Sequence, residues 1–357
     1  MATEIRQKKI SKSSTMQNSP ELLTDSYDYS LPKELVATEP ATPPDSARLL
    51  VYDRIEGRVI HSRFSEILDF LPKDCAVFLN DTKVIKARLY GKKESGGRIE
   101  MLFERPLANG DFRTIIRGRV KEGSKIHFKD GLVAQVLSLE ADGSRRVVFE
   151  KDGRRVDFET LVDILEKIGH VPLPPYMRRE DRGEDEEHYQ SIFAKKVGAV
   201  AAPTASLHFT KELLQRLKER HDTYTLTLHV GSGTFRPVES EKIIDHPMHS
   251  EFFHIPREAA AVIDSKRDIL AVGTTVTRTI EYYIRTGRRE GECDIFIHPH
   301  NPPSRVNYLL TNFHLPKSTL IMLVSAFIGR QKTLELYREA IEKRYRFYSY
   351  GDAMLIL

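Results

Sequence analysis

Between Lys83 and Val156 four turn dipeptides punctuate the chain: Asn109-Gly110, Asp130-Gly131, Asp142-Gly143 and Asp152-Gly153. Each supplies the positive φ that a tight hairpin turn demands. Between them lie runs such as FRTIIRG, LVAQVLSL and RRVVFE, rich in β-branched residues and too short for helices. Short strands at regular spacing indicate a small all-β barrel or sandwich. No helix-period segment interrupts them, so residues 83–157 are expected to form a small β-barrel domain inserted into a larger one. Residues 25–82 and 158–357 then become two segments of that larger domain.

The flanks have a different texture. RLLVYD and RVIHSRF around RIEG read as a hairpin, FSEILDFL as a short helix, and CAVFLNDTK as a strand with a polar end. FETLVDILEKIG reads as a helix stopped by Gly169. Beyond it, strands (TYTLTLHVG, DILAVG, CDIFIHP, YLLTNFHLP, AMLIL) alternate with helices (TKELLQRLKER, REAAAVIDSKR, TRTIEYYIRTG, STLIMLVSAFIG, KTLELYREAIEKRYRF). That alternation indicates an α/β layered domain. Residues 1–24 are polar and lack apolar periodicity, so they read as a disordered tail, with Met16 as a second candidate start.

Cys75 and Cys293 are too few for a disulfide framework, and each lies in an apolar run that suits a reduced, buried thiol. The longest apolar run, LIMLVSAFI, falls short of the roughly 20 residues a membrane span requires. A cytoplasmic protein is expected. The net charge of +4 permits an anionic partner without demanding one.

Polar residues gather where strands end, the usual place for ligands in open α/β sheets. NDTK brings Asn80, Asp81 and Thr82; HVGSGTF brings His229, Gly231, Gly233 and Thr234. GTTVTR brings Thr274, Thr275 and Arg278, TNFH brings Thr311, Asn312 and His314, and APTASLHFT brings Thr204 and His208. Together they suggest one composite pocket. Gly273 permits close backbone approach, and Thr274 or Thr275 is expected to cap a helix whose start favours a carboxylate or phosphate. Arg278 would add a fork of donors. HVGSGTF is no dinucleotide fingerprint, because Arg236 and Pro237 stand where a third glycine and a helix should follow. Its glycines suit backbone lying flat against a planar ligand. The histidines lack metal-ligand spacing, and no metal is expected.

Two stretches bear on nucleic acid. KRYRFYSYGD interleaves Arg344 and Arg346 with Tyr345, Phe347, Tyr348 and Tyr350. It reads equally as a contact for single-stranded RNA or as a helix end with its aromatics packed inward. YMRRED offers Arg178 and Arg179, and Lys317 is a further cation in the stretch TNFHLPKSTL, beside Ser318 and Thr319.

These clusters, in this order, resemble one family closely: the S-adenosylmethionine:tRNA ribosyltransferase-isomerases of queuosine biosynthesis. The matching stretches include YDYSLPKELVATEP, LNDTKVIKARL, GHVPLPPYMRREDRGEDEEHYQSIFA, AVAAPTASLHFT, HVGSGTFRPV, AVGTTVTRTIE, LLTNFHLPKSTLIMLVSAFIG and YRFYSYGDAMLI, covering Tyr27 to the C-terminus. The family usually has Gly where Ser206 stands, Pro at Lys86 and Asp at Asn307. The resemblance implies a larger domain of helices around a barrel-like mixed sheet with an inserted β-barrel. It implies that S-adenosylmethionine serves as ribosyl donor to 7-aminomethyl-7-deazaguanine in the anticodon loop of tRNA, giving epoxyqueuosine with release of adenine and methionine. A monomer is expected. Rival readings are a methyltransferase using the same cofactor, weakened by the missing glycine-rich fingerprint, and a non-catalytic tRNA-binding protein, which leaves the polar strand ends unexplained.

The implied chemistry assigns roles. The sulfonium acidifies the ribose 5′ carbon, so a positioned base can remove a proton there; His314 and His208 lead, with His229 third. Asp81 would offset the sulfonium charge or hold ribose hydroxyls. Asn80, Thr82, Thr204, Gly231, Gly233, Thr234, Thr274, Thr275, Arg278, Thr311, Asn312, Ser318 and Thr319 would bind the cofactor, and Arg178, Arg179, Lys317, Arg344 and Arg346 the RNA.

Overall fold

In the computed structural model the described residues are 19–235 and 237–357, with the side chains of Thr234 and Phe235 outside that set. Two compact units emerge. The larger comprises the chain up to Asn80, Thr204–Leu226 and Gly233–Leu357; the smaller comprises Asp81–Pro203 and Thr227–Ser232.

The larger unit begins with β1 (Arg48–Asp53), β2 (Arg58–Arg63) and β3 (Ala76–Asn80). FSEILDFL, expected as a short helix, is a 3-10 helix over Phe64–Asp69, which buries Phe64, Ile67 and Leu68 in its short span. The expected tail is shorter at its far end. Leu22 and Thr24 are buried, and Thr24 bonds the backbone at Ser240 and Glu241. The rest of that expectation, residues 1–18, lies outside the described residues.

In the smaller unit, β4 (Thr82–Val84) pairs in parallel with β12 (Lys196–Ala199). Between them β5 (Arg88–Lys93), β6 (Arg98–Pro106), β7 (Phe112–Arg117), β8 (Lys125–His127), β9 (Val133–Leu139) and β10 (Arg145–Lys151) form an antiparallel barrel in the order β10-β7-β6-β5-β8-β9. The β9–β10 pairing closes it and β11 (Arg154–Arg155) extends it. Closure leaves no exposed edge among the six strands. All four turn glycines have positive φ, from 70° to 86°, and Asp130 and Asp152 share it. Lys151 opposes Arg154 across Asp152-Gly153, the two-residue loop such a dipeptide favours. The barrel core, with Met101, Phe103, Phe112, Val147 and Phe149 buried, is continuous with Leu161, Ile164 and Leu165 of α1 (Phe158–Ile168). Gly169 ends α1 at φ −82°, so its lack of a side chain serves close approach to the Lys86 carbonyl rather than a left-handed turn. The unit also holds the short α2 (Asp185–His188).

The chain then completes the larger sheet with β13 (Thr223–Leu228), β14 (Glu251–His254), β15 (Ile269–Val272), β16 (Glu290–Cys293), β17 (Tyr308–Asn312) and β18 (Ala353–Ile356). The order is β16-β14-β13-β3-β15-β17-β18-β1-β2. CDIFIHP was expected as a strand, but the ladder stops at Cys293, where pairing with β14 ends. Strands β13, β3, β15 and β17 run parallel, while β18 lies between β17 (antiparallel) and β1 (parallel). β3, β15 and β18 are buried at every residue, as sheets covered on both faces require. The helices are α3 (Lys211–Arg220), α4 (Arg257–Ile263), α5 (Thr274–Thr286), α6 (Thr319–Ile328) and α7 (Arg330–Glu342).

Candidate functional site

Because β3, β15 and β17 are parallel neighbours, their C-terminal ends lie side by side in the larger unit, ending in Asn80, Gly273-Thr274 and Thr311-Asn312. The 3-10 turn Thr204–Ser206 adjoins them, with the Ala205 methyl 3.8 Å from where a side chain at Gly273 would begin. Asn80 Nδ2 donates to Thr275 Oγ1 at 3.2 Å, joining β3 to the start of α5. The expected Thr cap is replaced by Gly273 itself, at φ 98°, with no side-chain cap; Thr274 and Thr275 are the helix's first two residues. Its leading N–H groups therefore keep their capacity for an oxygen acceptor.

Two imidazoles are fixed at this strand end. Asn312 Nδ2 donates to the carbonyls of Tyr348 and Ser349, at 3.0 and 3.1 Å. That orients its Oδ1 toward His208 Nε2, 3.2 Å away. An amide oxygen only accepts, so His208 carries its proton on Nε2 and a lone pair on Nδ1. His314 Nε2 lies 2.8 Å from Thr311 Oγ1. Its backbone N–H donates to Tyr337 Oη at 3.1 Å, and its carbonyl accepts from Tyr29 Oη. Burial pushes His208 down to about 4 and His314 to about 3, so both are neutral at pH 7. Ser206 Oγ is fully buried and has no hydrogen-bond partner among the described residues.

The polar stretch at Thr311–Thr319 divides into distinct duties. Phe313 is core. Lys317 Nζ pairs with Asp25 and Asp28 at 2.8 and 3.2 Å, anchoring the N-terminal segment. Ser318 caps α6 by accepting from Ile321 N at 3.3 Å, and Thr319 opens that helix half-buried. Arg278 is spent within the protein: its guanidinium bonds Glu251, the Ile295 carbonyl at 3.2 Å and the Cys293 carbonyl at 3.3 Å. Gly233 abuts the His249 ring so closely that a side chain there would collide. The planar group against that glycine is the protein's own.

The smaller unit holds its own cluster. Asp81 Oδ1 accepts from Thr227 Oγ1 at 2.6 Å, and its carbonyl from the backbone of Lys195 and Lys196 at 2.7 and 3.0 Å. His229 Nδ1 meets Thr82 Oγ1 at 2.8 Å, and burial lowers this imidazole to about 4. Gly198 packs on the ring's other side, where an added Cβ would sit 2.7 Å from Nε2. Gly231 is half-buried nearby in sequence, and Thr204 is half-buried in the larger unit; Thr234 falls on a side chain outside the described residues.

Of the RNA candidates, Arg178 and Arg344 are exposed, Arg179 is clamped by Asp185 at 2.6 and 2.8 Å, and Arg346 pairs with Asp352. Tyr345, Phe347 and Tyr350 are buried, so the C-terminal aromatics pack inward. One imidazole escaped the sequence reading. His298, in HPHNPP, is 8% exposed, lowered to about 4 by burial, and has no partner at Nδ1 among the described residues. The neighbouring Pro299 and His300 two residues on were the available signal.

Residues 24–356 match the family model described as "Queuosine biosynthesis protein". The chain is 59% identical to the S-adenosylmethionine:tRNA ribosyltransferase-isomerase of Aliarcobacter butzleri, over 94% of this chain and 99% of that one. It is 58% identical to the protein of the same name from Campylobacter jejuni strain 81-176, with the same coverage. The crystal structure of S-adenosylmethionine tRNA ribosyltransferase from Thermotoga maritima is similar at a TM-score of 0.51 and 34% identity, covering 93% of this chain and all of that one. Similarity along nearly its whole length, in sequence and in fold, shows that this chain belongs to the queuosine biosynthesis protein family.

Proposed function

We propose that this chain transfers and isomerises the ribosyl group of S-adenosylmethionine onto 7-aminomethyl-7-deazaguanine at the tRNA wobble position. The products are epoxyqueuosine, adenine and methionine. One observation carries the reading: identity of 59% over almost the entire length of a relative named for this reaction. The anticodon loop bearing that base is the partner, and the protein works as a cytoplasmic monomer.

The chemistry needs a neutral base near the ribose 5′ carbon. His208 and His314 qualify because burial keeps them unprotonated at pH 7. The lone pair on His208 Nδ1 is held ready by Asn312, which acts as a positioning residue. An imidazole of such low basicity also gives its proton up easily, which suits return of that proton to the departing adenine. Thr274, Thr275 and the uncapped start of α5 suit the methionine carboxylate, since first-turn N–H groups attract anions. Thr204, Thr311 and Thr319 offer hydroxyls to ribose or base. In the smaller unit, His229 and Thr82 form the third candidate pair, with Asp81 the candidate carboxylate there. Arg278, Ser318 and Lys317 support these groups through their internal bonds.

The test is chromatography of small molecules after incubating enzyme and S-adenosylmethionine with tRNA carrying or lacking the aminomethyl base. Stoichiometric adenine and methionine with the modified tRNA alone is the expected outcome. S-adenosylhomocysteine would assign a methyl transfer instead, and an untouched cofactor with competent tRNA a binding protein.

A further inference from the structure

The outer wall of the barrel carries an arrangement that the proposed reaction does not use. Along β5, Arg88, Tyr90 and Lys92 alternate with buried Leu89, so they share the face turned from the core. The register sets Lys92 directly opposite His127 on β8 and opposite Arg98 on β6. Three basic side chains thus stand in one row across three strands. Like charges in directly opposed positions destabilise a sheet, so the row opposes the fold's own stability. Lys129 extends it past the end of β8.

These groups are exposed, and no side chain of Lys92, Arg98, His127 or Lys129 makes an ion pair or hydrogen bond among the described residues. The acid among them, Glu100, already faces Arg88 Nε and Arg117 at 3.4 Å each. They line a groove with a volume of about 690 Å³. Gly91 shapes it: the Phe128 ring fills the space of the missing side chain, 2.7 Å from where a Cβ would sit. Tyr90, 42% exposed, edges the groove with an aromatic face.

We propose that this groove on β5, β6 and β8 docks the phosphate backbone of tRNA through Lys92, Arg98, Lys129 and His127. Unpaired cations in a row match a polyanion with regularly spaced charges, and an exposed aromatic beside them matches an unstacked base or ribose. The proposal rests on tRNA being the substrate, and adds a contact surface separate from any residue assigned to the chemistry.

The test reads binding rather than turnover, so failure of ribosyl transfer leaves it intact. Fluorescence anisotropy with labelled tRNA is measured between about 50 and 200 mM salt. The variants are the full chain with Lys92→Glu, Arg98→Glu and Lys129→Glu, and the milder set K92Q/R98Q/K129Q. An equal charge change on exposed lysines of the larger unit (Lys211→Glu, Lys218→Glu, Lys266→Glu) is the control. Expected are a Kd raised roughly tenfold or more in both groove variants and a salt slope reduced by about 2, for three lost phosphate contacts. Melting temperature of K92Q/R98Q/K129Q should stay level or rise, since a repulsive row is relieved. Unchanged tRNA affinity overturns the proposal, as does equal weakening in the control. Unchanged tRNA affinity with lost binding of a polyglutamate peptide assigns the groove to an acidic protein partner instead.

Discussion

The end of the larger sheet and the wall of the small barrel use polar residues in opposite ways. At the C-terminal ends of β3, β15 and β17, polar side chains are buried and bonded to one another: Asn80 to Thr275, Asn312 to His208, Thr311 to His314. On the barrel wall, charged residues stand in water, and several have no partner among the described residues. Buried polar groups must satisfy one another, so they fix tautomers and geometry at a cost in desolvation. Exposed charges fix nothing, but they act at a distance and yield to salt. The first arrangement suits bond-making; the second suits capture of a large anion.

The sharpest way to break this comparison is to delete an imidazole. His208→Ala or His314→Ala should lower turnover about 100-fold or more while S-adenosylmethionine affinity, by calorimetry, changes little. Loss of affinity with turnover intact would make these groups binders and blur the contrast. His229→Ala, judged alongside, ranks the smaller unit's cluster against the larger one's.

Arg278→Met tests whether buried charge in the larger unit is structural. Glu251 would stay buried while losing its ion pair with Arg278, so stability to urea should fall by about 3–5 kcal/mol. A loss below 1 kcal/mol would show that Glu251 finds another donor or a proton.

Acid should separate the two kinds of polar group further. His208 and His314 take up protons when unfolded, near 6.5, but only near 4 and 3 when folded. Below about 6.5 the unfolded state therefore binds more protons, and stability falls as pH drops toward those folded values. Each fully buried imidazole contributes a slope of about 1.4 kcal/mol per pH unit in that window. Urea midpoints between pH 7 and 5 measure it, and H314A should flatten the slope by one group's share. A flat profile in the parent would mean the imidazoles are hydrated.

The smallest effect concerns the N-terminal segment. Removing residues 1–18 should leave melting temperature and activity unchanged. Removing residues 1–24 should lower the melting temperature by a few degrees, since Leu22 and Thr24 are then lost, at about 1–2 kcal/mol. Equal effects of both cuts would show no contribution from 19–24.

Much of this was legible in the sequence where the signal is local. Four turn dipeptides marked the barrel because a positive φ is a property of one or two residues. The strand ends stood out because β3, β15 and β17 run apolar until they stop. What could not be read were partners set by sheet order. Arg278 reads as a ligand donor until Glu251, 27 residues back, is placed against it. Asn312 meets His208 across 104 residues, and only that contact assigns a tautomer. The C-terminal aromatics had two equal readings, since interleaved Arg and Tyr look alike packed or displayed.

The position of β18 has a consequence for synthesis. This four-residue strand lies between β17 and β1 and is made after both, so the β1–β2 hairpin joins the sheet only through it. Until Ile356 has left the ribosome, β17 and β1 each present an unpaired apolar edge, the kind of surface that chaperones bind and proteases inspect. A chain interrupted even at Asp352 would lack the piece that joins its two ends, and the cell would meet it as an unfinished protein.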